Sequence, residues 1–96
     1  MPGGPVLLDA ASLTAQAGER RAHLNRREFA VLEALCARVG ETVPHRELLT
    51  AVWGPHAEMP NLRVAVGGLR RKLEADPELP TLILTEAGAG YRLGTP

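Results

Sequence analysis

The pattern of apolar and polar positions divides the chain into a strand-rich start, three helical segments and a strand-rich end. Short apolar runs separated by turn-forming residues over 6–24 predict a small antiparallel sheet of three or four strands. Three later segments repeat apolar residues every three or four positions, which predicts amphipathic helices. Beyond them, apolar runs at 81–85 and 91–93 flank a glycine-containing turn and predict a β-hairpin. The predicted helices cover 26–38, 45–53 and 61–75.

The first predicted helix has signals at both ends. Asn25 and Glu28 have the spacing of a capping box, in which each side chain accepts a hydrogen bond from the other residue's backbone N–H. Leu24 and Phe29 have the spacing of a hydrophobic staple around the same cap. Gly40 is expected to close the helix.

The boundaries of the later elements carry weaker signals. Pro44 suits the start of the second helix, and Asn61 is expected to cap the third. Residues 54–60 are expected to form the connecting loop between these two helices. A short strand is predicted at 41–43.

This order of elements predicts an α+β fold of the winged-helix type, which is a variant of the helix-turn-helix. It consists of a small N-terminal antiparallel sheet, three helices and a C-terminal β-hairpin that forms the wing. The third helix is the element expected to read DNA. The Pro- and Gly-rich residues 1–5 are expected to be a linker or disordered terminus, which leaves 6–96 as one domain.

The charges of the chain cancel overall, so electrostatic evidence for nucleic-acid binding has to come from a local cluster, which lies in one helix. Apolar residues make up 45% and charged residues 23%, and the formal net charge is zero. A neutral chain has no global attraction for DNA, so any attraction must be local. Arg63, Arg70, Arg71 and Lys72 supply such a local cluster in the third helix. The alternative is an ordinary solvated helix face that pairs with Glu74, Asp76 and Glu78.

Catalytic and metal chemistry find little support in the sequence. The single cysteine, Cys36, lies on the apolar face of the first helix and is expected to be a small core residue in a reducing cytosol. His23, His45 and His56 lack ligand spacing to one another or to Cys36. We therefore expect no enzyme activity, no catalytic residue, no metal site, no cofactor and no membrane segment, in a cytoplasmic protein.

Four motifs, taken in order, resemble the OmpR/PhoB-type DNA-binding domain, which is the effector domain of many bacterial two-component response regulators. The motifs read LNRREFAVLEAL, RELLTAVWG, LRRKLE and TEAGAGYRL. The similarity covers roughly residues 6–94. The details around Val66-Gly67, 70–77 and 90–93 resemble the KdpE-like branch.

The resemblance implies a sequence-specific DNA-binding domain of a transcription regulator in a phosphorelay, with the third helix in the major groove and the wing in the minor groove. It implies tandem binding to promoter direct repeats and an N-terminal receiver or other covalent domain. It also implies an RNA polymerase contact through the loop after the second helix. That contact would involve Gly54, Pro55, His56, Ala57 and Glu58. Together with the basic cluster, the resemblance predicts a DNA-binding set of Arg63, Val64, Gly67, Gly68, Arg70, Arg71, Lys72, Thr85, Tyr91 and Arg92.

The chain departs from the family pattern where bases would be read. The outward positions of the third helix in relatives usually carry more polar or basic residues. Here these positions hold Val64, Ala65, Gly67, Gly68 and Arg70. Glycine presents no donor or acceptor side chain to a base edge, and Val64 and Ala65 are suited only to a thymine methyl group. Each glycine costs about 1 kcal/mol relative to alanine in a helix, which a close backbone approach to DNA or protein would offset; simple drift is the other explanation.

A second hypothesis follows from these departures. A winged helix that acts as a protein-interaction or regulatory module would fit three features. These are the neutral net charge, the paired glycines, and Glu86-Ala87 at the wing position where relatives often have arginine. Such a module could be appended to a uroporphyrinogen-III synthase-like domain.

Under the first hypothesis, that of a DNA-binding module, Arg70→Ala is expected to weaken DNA binding and lower its salt slope by about one charge.

Overall fold

The computed structural model describes residues 2–3 and 5–94, with side chains from residue 5 onward. The described residues form seven strands and three helices, in the order that the winged-helix prediction requires. The strands are β1 (Pro2–Gly3), β2 (Val6–Asp9), β3 (Thr14–Ala17), β4 (Arg20–His23), β5 (Thr42–Pro44), β6 (Ile83–Glu86) and β7 (Gly90–Leu93). The helices are α1 (Arg26–Cys36), α2 (His45–Val52) and α3 (Met59–Leu73). The predicted α+β class is confirmed.

The N-terminal sheet is antiparallel in the order β1-β2-β3-β4. Its inner face buries Val6 and Ala15 completely, whereas Leu7 on the outer face is 54% exposed. The expectation of a linker over residues 1–5 differs from the structure at Pro2–Gly3, because this segment pairs with β2. Met1 and Gly4 lie outside the described residues. The division of the chain at residue 6 stays a prediction.

Helix α1 begins as the sequence indicates and ends earlier. The Asn25 side chain accepts a hydrogen bond from the Glu28 N–H at 2.8 Å, and the Asn25 N–H donates to the Glu28 carboxylate at 3.0 Å. The capping box is therefore confirmed. The helix ends at Cys36 rather than 38, because the Arg38 N–H bonds to the Leu35 carbonyl in a tighter turn. Gly40, at φ 82°, belongs to the following turn and does not close the helix.

The start of α3 corrects the predicted cap. The helix begins at Met59, two residues before the predicted position, and its N-cap residue is Glu58. Asn61 therefore lies inside the first turn and is not the cap. Pro60 explains the earlier start, because proline fits the first helical turn, where its missing N–H is not needed. Pro44 is the N-cap residue of α2.

The wing is a three-stranded sheet in the order β5-β7-β6. The hairpin β6–β7 is the one expected from the sequence, although β6 begins at Ile83 instead of 81. The predicted strand at 41–43 is observed as β5, and the sequence alone does not indicate that it pairs with β7. Gly90 allows this close pairing, since a Cβ at this position would meet the Val43 carbonyl oxygen.

One hydrophobic core joins the two sheets and the three helices. The N-terminal sheet, every helix and the wing each contribute fully buried side chains. Examples are Val6, Leu32, Leu48, Leu69 and Leu93. None of the helices among the described residues has the length and apolarity needed to cross a membrane.

Candidate nucleic-acid interface

One face of α3 is exposed at the surface of the domain. Arg63, Gly67 and Arg71 follow one another at intervals of one helical turn, and Val64 beside them is 72% exposed. Within residues 2–3 and 5–94, Arg63 and Arg71 have no hydrogen-bond or ion-pair partner. The exposed α3 face, defined by these four residues, therefore presents two uncompensated guanidinium groups around an apolar side chain.

Two residues expected at outward positions of α3, Ala65 and Gly68, are buried. Glu74, which the alternative interpretation placed on a solvated face, is buried as well. At Gly68 a Cβ would meet the carboxylate of Glu28, so the helix needs glycine there to let α1 approach. The paired glycines thus have different surroundings. Gly67 is on the exposed α3 face, and Gly68 is part of the packing between α1 and α3.

Two of the predicted DNA-contacting cations form ion pairs inside the domain. Lys72 donates to the buried Glu28 carboxylate at 2.6 Å. Arg92 donates to Glu86 at 2.9 Å on the wing. The acidic partners are therefore Glu28 and Glu86, not the Glu74, Asp76 and Glu78 named in the alternative interpretation.

Arg70, Thr85 and Tyr91 are brought together where α3 meets the wing. The Arg70 guanidinium donates to the Ile83 carbonyl at 2.8 and 3.1 Å, and to the Thr85 hydroxyl at 2.8 Å. It also lies 5.8 Å from the centre of the Tyr91 ring. Tyr91 is only 6% exposed, and its ring packs edge-on against His45. This group links two elements of the domain.

Sequence reasoning missed a crevice beside the exposed α3 face. It has a volume of about 240 Å³ and lies between the starts of α1 and α3 and the end of α2. The Arg27 guanidinium stacks over the Trp53 ring at 5.5 Å, and both residues line the crevice together with Val64. By helical spacing alone, Arg27 is expected on the polar face of α1 and Trp53 on the apolar side of α2. No local signal indicates that residues 26 positions apart meet next to α3.

The loop between α2 and α3 is short and internally bonded. The Ala57 N–H donates to the Gly54 carbonyl at 3.3 Å, and Arg46 donates to the Ala57 carbonyl at 3.0 Å. Pro55, His56 and Glu58 are exposed. The loop therefore presents a small surface that is held in place by α2.

Cys36 lies partly buried at the end of α1. Burial, together with the negative charge of Glu33, raises the pKa of its thiol from 9.0 to about 11. The thiol is therefore protonated at neutral pH and is a weak nucleophile. Among the residues that the structure describes, no cluster of three His, Cys, Asp or Glu side chains could hold a metal ion. The absence of a catalytic or metal site stays a prediction.

Residues 18–93 match the family model described as transcriptional regulatory protein, C terminal. The chain belongs to this family. The match covers the helices and the wing, and the resemblance to OmpR/PhoB-type domains is confirmed.

Individual relatives of this OmpR/PhoB-type domain agree with that assignment. The KDP operon transcriptional regulatory protein KdpE of Escherichia coli K12 is 42% identical over 89 residues, which is 91% of this chain and 40% of KdpE. The response regulator DrrB of Thermotoga maritima, described as an OmpR/PhoB homologue, superposes with a TM-score of 0.82 at 28% identity. That match covers 98% of this chain and 43% of DrrB. The chain thus spans about 40% of the length of these relatives.

A third comparison shows the same fold at lower identity. The RstA DNA-binding domain of Klebsiella pneumoniae, solved in complex with the RstA box, has a TM-score of 0.80 at 23% identity. The match covers 98% of this chain and 95% of that domain. The fold of this chain therefore matches that solved domain over almost its whole length.

Proposed function

We propose that this domain binds double-stranded DNA as the effector module of a transcription regulator, with α3 in the major groove and the β6–β7 wing in the minor groove. The observation that carries the proposal is the exposed α3 face. Among residues 2–3 and 5–94, Arg63 and Arg71 have no acidic partner there, although the chain as a whole is neutral. Phosphates are the groups that such unpaired guanidinium groups bind best.

The chemistry of this face favours affinity over base selection. Arg63 and Arg71 would hold phosphates on either side of the groove, and Arg27 would add a contact from the crevice beside α3. Gly67 would let the DNA approach the helix backbone closely. Val64 is suited to contact a thymine methyl group, whereas Ala65 is buried and lost to this role. The phosphate contacts that we propose are therefore strongly salt-dependent and add little sequence selectivity of their own.

One observation that favoured the protein-interaction hypothesis, the glycine at position 68, has an explanation within the fold. The second helical glycine is accounted for by the packing of Glu28 against Gly68, without any external partner. The neutral net charge remains, but it does not prevent local attraction at α3.

The wider role follows from the relatives and is part of the same proposal. KdpE and DrrB are more than twice as long as the part that this chain matches. We propose a covalent receiver domain in the native protein, promoter direct repeats as the target, and RNA polymerase as a partner of the loop Gly54–Glu58. A cytoplasmic location and the lack of enzyme activity stay predictions.

The proposal is tested by a salt titration of the isolated chain with a random-sequence fluorescent duplex, followed by anisotropy. We expect affinity to fall steeply with salt, because released counterions set the slope. Absence of binding even at low salt would contradict the proposal.

A pair of matched variants identifies the surface involved. Arg71→Ala should lower the salt slope by about one charge, because it removes one phosphate contact. Arg21→Ala removes the same charge from β4, where Arg21 is exposed beside Leu7 and Gln16 on the outer face of the sheet. The proposed surface predicts an unchanged slope for Arg21→Ala, and equal effects of the two variants would contradict it.

A further inference from the structure

Strand β6 is an edge strand, and its open edge is covered by α3. In the order β5-β7-β6, only one side of β6 pairs with another strand. The Leu82 carbonyl just before β6 accepts from the Gly94 N–H, so the backbone groups of Ile83 point away from β7. An open edge normally requires covering or protection. Here the side chains of Arg70 in α3 and of Glu74, the C-cap residue that follows α3, fill that role.

Glu74 and Arg70 hold this edge from the C-terminal end of α3. The Glu74 carboxylate accepts hydrogen bonds from the N–H groups of Thr81, Leu82 and Ile83 at 2.8 to 3.1 Å. Arg70 donates to the carbonyl of Ile83 and to the hydroxyl of Thr85. Ile83 is thus bonded through its N–H to one charge and through its carbonyl to the other. Such charge-assisted bonds are stronger and shorter than neutral ones.

The burial of Glu74 makes this arrangement more than a surface contact. Its side chain is only 3% exposed, and a buried carboxylate is costly unless its oxygens are satisfied. Three backbone N–H groups satisfy it, and no cation of the described part of the chain pairs with it. Because all of these bonds go to the segment that leads into β6, Glu74 links the end of α3 to that strand.

We propose that Arg70 and Glu74 are positioning residues that fix the wing relative to α3, so that the two elements meet DNA as one rigid body. The DNA part of this inference rests on the function proposed above. The rigid-body part concerns the free domain and stands independently of it. The competing explanation is that the buried side chains of Ile83, Tyr91 and Leu93 orient the wing without help.

The first test measures residual dipolar couplings of the free domain by NMR. For the wild type, α1–α3 and the wing should fit one alignment tensor. In Glu74→Gln the charge is lost and an amide N–H faces backbone N–H donors, so the bonds to the segment before β6 weaken. The wing of this variant should therefore need its own alignment tensor. Glu78→Gln is the matched control, because Glu78 is exposed in the same connecting segment and its side chain makes no described hydrogen bond. A single tensor for folded Glu74→Gln would overturn the proposal.

Arg70→Met removes the guanidinium group that bonds to the Ile83 carbonyl and the Thr85 hydroxyl and keeps an unbranched apolar side chain. It provides the same measurement if Glu74→Gln does not fold. A folded Arg70→Met domain whose wing remains aligned with the helices would count against the proposal in the same way.

The second test uses DNA and separates positioning from general damage. Addition of a random-sequence duplex to the wild type should shift the amide NMR signals of both α3 and the wing. In Glu74→Gln the wing signals should no longer shift while those of α3 still do, with affinity reduced about tenfold through the lost wing contacts. Loss of the shifts in both elements would contradict a positioning role. A wild type without any shifts at low salt would overturn the proposed function, while the couplings would still decide the link between α3 and β6.

Discussion

At the scale of single residues, Gly67 and Gly68 are neighbours with opposite surroundings. A Cβ at Gly68 would meet the buried carboxylate of Glu28. A Cβ at Gly67 would meet only the end of the Arg71 side chain, at 3.4 Å. That side chain is flexible and exposed, so it can move away. The two positions should therefore respond differently to the same substitution.

Gly68→Ala should lower the free energy of unfolding by about 2 kcal/mol, because the new methyl group displaces Glu28 from its hydrogen bonds with Asn25 and Lys72. Gly67→Ala should raise it by up to about 1 kcal/mol through helix propensity. Urea unfolding followed by circular dichroism measures both, and each variant is the other's control. Changes of the same sign would show that the packing of α1 on α3 does not determine how stability responds to alanine at these two positions.

Cys36 gives a prediction about pH. Because burial raises the pKa of its thiol to about 11, the thiolate fraction at pH 8 should be about 100-fold lower than for a thiol with the ordinary pKa of 9.0. Alkylation by iodoacetamide should accordingly be slow at pH 8 and accelerate up to about pH 11. The same chain unfolded in urea is the control and should react readily at pH 8. Fast alkylation of the folded chain at pH 8 would contradict this assignment.

At the scale of elements, the start of α1 depends on its capping box and the start of α3 does not. Asn25 bonds to Glu28 in both directions, whereas the N-cap residue of α3, Glu58, makes no side-chain cap bond. Asn61 lies exposed in the first turn of α3. The two asparagines therefore form a natural comparison.

Asn25→Ala should cost about 1 kcal/mol of stability, since it leaves the Glu28 N–H without its partner. Asn61→Ala should change stability by less than about 0.5 kcal/mol. Thermal unfolding of both variants under one set of conditions is the measurement. A larger loss for Asn61→Ala would mean that Asn61 caps α3 after all.

At the scale of the whole molecule, the sheets and helices share one core, and this connects the wing to the rest of the fold. The buried cluster runs from Val6 in β2 through the helices to Leu93 in β7. A single core of this size normally unfolds in one cooperative step. The link between α3 and β6 strengthens that connection at the open edge of the wing.

We therefore expect the unfolding of the helices and of the wing to coincide in urea. Circular dichroism reports the helices, Trp53 fluorescence reports the end of α2, and the NMR signal of the Arg92 amide reports the wing. All should give one midpoint. Earlier loss of the Arg92 signal would show that the wing is a separate unit.

The sequence by itself determined the elements and their order. Capping, periodicity and turn chemistry act between residues a few positions apart, so the capping box of α1, the three helices and the hairpin could be predicted. The four motifs likewise identify the family. The helix ends were less certain, as Gly40 and Asn61 show, because several residues near each end compete for the same role.

Only the tertiary structure decided which charges are free. Lys72 and Glu28 are 44 positions apart, yet they pair at 2.6 Å. Arg70 meets Ile83 and Glu74 meets the backbone before β6 through the packing of α3 against the wing. Side-chain partners at such separations depend on how elements pack, and no local pattern encodes that packing. For this reason the sequence predicted a basic cluster as a whole. In the structure Arg70 and Lys72 bond within the fold, whereas Arg63 and Arg71 have no partner among the described residues.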